Sequence, residues 1–144
     1  MWTAIYNWPW QTIWAALSAI FSMVTVGVAV WAMFRWSKQD ELKAKLEFKQ
    51  GIARVGYCLS RMPDKIALSD REKLKERLAE LKGYMSQSTY AWLASEGLMD
   101  KYPDVVQNWT FIQHNIDDYY WGRMSRDPIG ECCAAIMLQK FVFK

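Results

Sequence analysis

Residues Trp10 to Trp36 read WQTIWAALSAIFSMVTVGVAVWAMFRW, and between Gln11 and Phe34 this stretch carries no charged residue. At 1.5 Å per residue, a helix from Trp10 to Trp31 is about 32 Å long, close to the roughly 30 Å hydrocarbon core of a bilayer. Trp8, Trp10 and Trp14 stand at one end and Trp31 and Trp36 at the other, as amphipathic indole rings do at the two headgroup levels. A buried core helix is the competing reading, but such helices are usually shorter and rarely bracketed by tryptophan. The stretch therefore predicts a transmembrane helix over residues 10–36.

The circumference of that helix is not uniform. From Gln11, steps of four and three residues reach Ala15, Ser18, Ser22, Thr25, Ala29 and Ala32, all small or polar. Ile13, Leu17, Ile20, Val24, Val28 and Trp31 occupy the opposite side. A repeat averaging 3.5 residues is the seam of a left-handed helix pair or bundle. In lipid, small residues let backbones approach and hydroxyls bond across helices, at roughly 0.6–2 kcal/mol each. The stripe predicts a homo-oligomer, with Gln11, Ala15, Ser18, Ser22, Thr25 and Ala29 either packed dry or lining a weakly selective pore. Hydroxyls that bond back to their own helix carbonyls are the alternative.

Of the 144 residues, about 108 follow Trp36, enough for one small domain with its own core. Aromatic residues make up 15% of the chain, so this part is expected to be globular. The net charge of +3 is unevenly spread. Arg35, Lys38, Lys43, Lys45, Lys49, Arg54, Arg61 and Lys65 crowd residues 35–65, against four acids there. No Lys or Arg precedes the stretch. The positive-inside rule then puts the N-terminus outside and the C-terminal domain in the cytoplasm, with the span in the inner (plasma) membrane. A cleaved signal peptide would need its basic residues before a shorter apolar run. In the cytoplasm the Asn108-Trp109-Thr110 acceptor pattern is not used, and Cys58, Cys132 and Cys133 are reduced. A single histidine leaves no zinc set, and no cofactor pattern is present.

Taken in order, residues 1–9 form a short outer segment, with Pro9 suited to a first helical turn. Residues 37–62 continue as a juxtamembrane helix with Leu42, Leu46, Ile52, Ala53 and Val55 on its apolar side and Gly51 and Gly56 as soft points. Residues 63–144 form a helical bundle. Ser69-Asp70-Arg71-Glu72 reads as a capping box opening a helix. Leu74, Leu78, Leu81, Met85, Trp92 and Met99 keep one register, weakened at Ser88 and Ser95, so residues 70–98 are read as one helix despite Gly83. Pro103 opens the next helix, with Val105, Trp109, Ile112, Ile116, Tyr119 and Arg123 as its stripe. Asp127 and Pro128 read as N-cap and N1 of a last helix running from Gly130 to about Phe141. No window alternates with period two, so the fold class is all-α.

Enzyme chemistry finds little footing. His114, beside the Ile112 and Ile116 face, reads as structural. Asp117 and Asp118 are adjacent on a helix and point about 100° apart, a poor carboxylate pair. Cys132-Cys133 reads as buried apolar residues before it reads as a redox or acylation site. The basic run after the span is either a solvated face beside anionic headgroups or, with Arg54 and Arg61, part of an anion site. Tyr119, Tyr120, Trp121, Arg123 and Arg126 set aromatics beside arginines at a helix end, where they could stack a base and hold a phosphate. The same residues also serve ordinary helix packing.

The plan of an outer stub, one span and a small cytoplasmic helical domain resembles the compact membrane effectors of bacterial anti-phage defence systems, including those run by nucleotidyltransferases. That resemblance implies ion leakage or depolarisation as output and a nucleotide or oligonucleotide signal as input. The expected function is thus an oligomeric membrane effector whose cytoplasmic domain senses a ligand or partner and gates a pore. The alternative is a non-conducting anchor that docks a cytosolic protein.

Overall fold

The computed structural model describes residues 10–95 and 97–141. Trp8, Pro9 and the outer segment 1–9 lie outside the described residues. Among the described residues there are four α-helices, one 3₁₀ turn and no strand. These are α1 (Trp10–Ser60), the 3₁₀ turn (Leu68–Asp70), α2 (Lys75–Ala94), α3 (Pro103–Tyr120) and α4 (Asp127–Leu138). The chain divides into two compact units, residues 1–40 and 41–144, with the boundary inside α1.

In the first unit α1 is long and apolar enough to cross a bilayer, and none of its most apolar window is buried. Trp14, Ile20, Phe21, Val24, Val28 and Trp31 are all exposed. Gln11, Ala15, Ser18, Ser22, Thr25 and Ala29 are exposed too. Ser22 Oγ donates to the Ser18 carbonyl at 2.9 Å, and Thr25 Oγ1 donates to the Phe21 carbonyl at 2.8 Å.

The second unit closes around one core. Phe48, Ile52, Val55 and Leu59 of α1 are buried at three- and four-residue spacing, a helical stripe. The 37–62 stripe is therefore centred on Phe48 rather than Leu46, whose side chain is exposed. Leu81, Met85 and Ser88 of α2 face that stripe, together with Val105, Trp109, Ile112, Ile116 and Tyr119 of α3 and Ile129, Cys133 and Ile136 of α4. Phe48, Trp92 and Trp109 form an aromatic triangle with ring centroids 5.1, 5.3 and 5.9 Å apart. Such tilted and edge-on pairs add about 0.5–1.5 kcal/mol each beyond their burial.

Several local expectations need correction. Gly51 and Gly56 are not soft points; both sit where helices touch. A Cβ on Gly51 would lie 2.7 Å from Ser88 Oγ, and one on Gly56 would meet Cys133 Cβ at 3.5 Å. The capping box does not form. Ser69 lies inside the 3₁₀ turn, and α2 begins at Lys75 with no side-chain cap. The helix runs unbroken through Gly83 but stops at Ala94, and Gly97 follows with φ +80°. That left-handed backbone suits glycine because it has no Cβ. At the start of α4, Arg126 holds the N-cap position and Asp127 is already helical. Its carboxylate turns to Arg126 Nε at 3.3 Å instead of to a backbone amide. The helix ends at Leu138, whose exposed side chain shows that only one face of α4 is covered.

Candidate functional site

The basic residues at the start of the second unit do not form one solvated face. Lys45 is buried, with its ammonium 2.6 Å from Glu41 Oε1 and 5.3 Å from the Tyr102 ring centroid. Lys49 Nζ donates to the Gln139 carbonyl at 3.0 Å and lies over the Phe141 ring. Both cations are part of the core's edge. Arg54 and Arg61 remain exposed. Arg54 Nη1 donates to Gln87 Oε1 at 3.0 Å, while Arg61 stacks over Tyr57 and donates to its hydroxyl at 3.3 Å. They do not meet the 119–126 run in one site, because each is occupied on the α1–α2 side.

The run itself separates into two parts. Tyr119 is buried and its hydroxyl donates to the Pro63 carbonyl at 2.8 Å. Burial pushes its pKa up to about 12. Arg126 Nη1 donates to the Met62 carbonyl at 2.8 Å and the Ser60 carbonyl at 3.3 Å, and its amide donates to the Asp64 carbonyl at 2.8 Å. The last carbonyls of a helix lack partners within it and carry the negative end of its dipole. The last turn of α1 contains no basic residue, so Arg126 supplies that cation from α4, and Arg77 Nη1 adds a bond to the Arg61 carbonyl at 3.1 Å. Tyr119 and Arg126 are therefore fastenings rather than ligand groups. Arg123 lies beyond the end of α3, exposed, with Nη1 3.6 Å from Asp118 Oδ1.

Tyr120 and Trp121 belong to a groove between α2 and the end of α3, of about 440 Å³. Arg71, Glu72, Lys75, Leu78, Ala79 and Lys82 line one side, and Asp117, Tyr120 and Trp121 the other. Arg71 and Lys82 are the residues that sequence reading missed; Arg71 precedes α2 and lies 50 positions from Trp121, and Lys82 lies within α2. The Arg71 guanidinium sits 4.2 Å from the Trp121 ring centroid, and Nη2 donates to the Tyr120 carbonyl at 2.7 Å. Lys82 Nζ lies 5.2 Å from the Tyr120 ring centroid. Lys75 and Glu72 pair at 3.6 Å, whereas Arg71 and Lys82 have no ion pair among the described residues. The Tyr120 hydroxyl is buried and has no hydrogen-bond partner among the described residues. Burial, with the Asp117 carboxylate next in weight, holds its pKa well above the ordinary tyrosine value.

His114 is exposed rather than part of the core face, with Nδ1 2.8 Å from the Thr110 carbonyl oxygen. Val106, Gln107, Thr110, Phe111 and Asn115 share its surface groove. Cys133 is buried and its thiol is pushed up to about 12 by burial, so it is a poor nucleophile; Cys132 is half-buried and also raised. Comparison with protein-family models, with curated proteins and with solved structures finds no match to this chain.

Proposed function

We propose that residues 10–36 cross the inner membrane once, that residues 41–144 form a cytoplasmic helical bundle, and that copies of the chain associate through the stripe from Gln11 to Ala29. In this reading the protein is a homo-oligomeric membrane effector. Its cytoplasmic domain responds to a ligand or partner, and the stripe lines a gated pore. The observation that carries it is the apolar half of α1, which is wholly uncovered. Soluble monomers rarely leave contiguous apolar patches above a few hundred Å² in water. The cations that follow, from Arg35 to Lys49, support the cytoplasmic side for the second unit. The plan in turn supports kinship of design with the compact anti-phage membrane effectors.

A specific observation favours a second reading, a non-conducting anchor that docks a cytosolic protein. The Ser22 and Thr25 hydroxyl protons are already bound by carbonyls of their own helix. Such hydroxyls need no water, so the stripe can pack dry.

Ser22→Asp separates the two. A charge at a span's centre costs about 2.5–3.5 kcal/mol on the insertion scale, and less where it reaches water. A pore should stay assembled and change its reversal potential in planar bilayers, whereas a dry seam should lose assembly or insertion. Retention of residues 10–36 in membrane-bound protein, read by intact mass, checks the span itself. A cleaved product would overturn both readings.

A further inference from the structure

We propose that the groove between Arg71 and Trp121 binds a small organic phosphate carrying a planar ring. Two cations with no ion pair among the described residues, Arg71 and Lys82, line one cleft, whose two carboxylates are Glu72, paired to Lys75, and Asp117. A volume of about 440 Å³ is within the range of small-molecule sites. Arg71 is held in place by its bond to the Tyr120 carbonyl, at 2.7 Å, so its fork is oriented before an anion arrives. Guanidinium forks of this kind match phosphate oxygens through paired N–H donors.

The ring follows from Trp121. Arg71 lies over the Trp121 ring at 4.2 Å, yet 58% of the residue is exposed. A flat ligand ring can extend this stack, as bases do on exposed aromatics. Leu78 and Ala79 give the cleft an apolar patch, and the Asp117 carboxylate offers an acceptor for a ring amino group. Asp117 also disfavours a bare polyanion, which tilts the site toward one phosphate with a ring. Tyr120, buried with its hydroxyl unpartnered, lines this groove and the adjoining one of about 430 Å³ beside Lys82.

The site also stands next to the fastening of α1. Arg71 binds the Tyr120 carbonyl, Tyr119 binds the Pro63 carbonyl, and Arg126 binds the Ser60 and Met62 carbonyls. An anion that draws on Arg71 therefore acts on the joint between the α3–α4 turn and the segment after α1. This last step rests on the sensing role proposed above; the binding itself does not.

The test is calorimetric titration of the full-length protein in zwitterionic detergent with AMP, ribose 5-phosphate, adenosine and inorganic phosphate. AMP should bind about tenfold or more tighter than each of the other three. Trp121→Ala should weaken AMP by about ten- to a hundredfold, and Lys82→Gln should weaken it with the thermal melt unchanged. If Trp121→Ala does not fold, Lys82→Gln decides. No AMP binding, equal binding of inorganic phosphate, or wild-type affinity in the folded variants would overturn the proposal. AMP binding without any change in bilayer current or assembly would leave the site standing and remove the sensing role.

Discussion

Gly51 of α1 and Ser88 of α2 meet so closely that a methyl group on the glycine would lie 2.7 Å from Ser88 Oγ and 3.3 Å from its Cα. Neither residue is apolar, yet both are buried, and the contact sets how near the two helices come. Ser88 Oγ is free to sit there because its proton goes to the Tyr84 carbonyl at 2.9 Å.

Gly51→Ala should therefore destabilise the protein although alanine is the better helix former. Overpacking costs about 1–3 kcal/mol, against up to about 1 kcal/mol of gained propensity. Ser88→Ala in the same background should recover part of the loss, because the 2.7 Å contact disappears. Gly83 is the internal control: it too lies within a helix, but nothing is within 4 Å of its Cβ position. Gly83→Ala should stabilise by about 0.5–1 kcal/mol. Chemical denaturation of the four proteins in detergent reads all of these.

The joint after α1 should be less forgiving. Gly122 has φ +70°, and a Cβ there would lie 2.2 Å from the Ile66 carbonyl oxygen, a backbone atom that cannot rotate away. Gly122→Ala combines left-handed strain of about 1–2 kcal/mol with that clash, so a loss above about 3 kcal/mol is expected. Arg126→Gln should cost about 1.5–3 kcal/mol, since the Met62 and Ser60 carbonyls lose a charged donor. Circular dichroism melts should show Gly122→Ala well below Arg126→Gln. The reverse order would mean that the guanidinium, not the turn, holds the joint.

These residues also show where the sequence was readable and where it was not. The α2 and α3 registers were legible because Leu81, Met85, Val105, Trp109, Ile112 and Ile116 recur at helical spacing and are all buried. The core stripe of α1 was not. Lys45 begins it, and a lysine at a core position looks like a solvated face unless Glu41 and the Tyr102 ring are known to receive it. The serines at 88 and 95 look like weak points in the register, but both are buried. The size of Ser88 answers the close approach of Gly51, which one strand of sequence cannot display, while Ser95 caps the end of α2 with its hydroxyl on the Trp92 carbonyl. In the groove, Tyr120 and Trp121 carried a signal as aromatics near arginines. Their true cationic partners, Arg71 and Lys82, come from elsewhere in the chain, while Tyr119 and Arg126 were spent on holding α1.

Alkaline pH should weaken the fold early. Burial pushes the Cys133 thiol up to about 12 from an ordinary value of 9.0, and the Tyr119 hydroxyl up to about 12 from 10.0. Below pH 9 both groups are neutral in the folded and unfolded chains, and the stability tied to them is fully present. Between pH 9 and 12 the unfolded chain sheds these protons while the folded one keeps them, so stability falls as pH rises. Melting temperature should decline across that window, and Cys133→Ala should flatten its first part. The same thiol should resist maleimide at pH 7.5 until the protein is unfolded, with Cys132 labelling first. Fast labelling of Cys133 in the native state would contradict its burial.

The membrane half of the reading turns on one face of α1. If copies associate through the stripe, Ser22 lies where backbones approach, and a leucine there holds them apart. Its own hydroxyl bond to the Ser18 carbonyl, at 2.9 Å, is intrahelical, so losing it changes little within one chain. Ile20 is exposed on the other side of the helix, where one branched aliphatic chain can replace another against lipid. Ser22→Leu should therefore lower the oligomer fraction in native mass spectrometry by several-fold, while Ile20→Leu leaves it unchanged. The expected size of the effect follows from close packing of small residues in lipid, where each interhelical contact contributes about 0.6–2 kcal/mol and one substitution touches every copy in the ring. Both variants keep the span apolar, so insertion should be equal, and membrane fractionation confirms that the comparison is one of assembly alone. If the two variants dissociate equally, or neither does, the stripe is not the seam, and association, where present, belongs to the second unit.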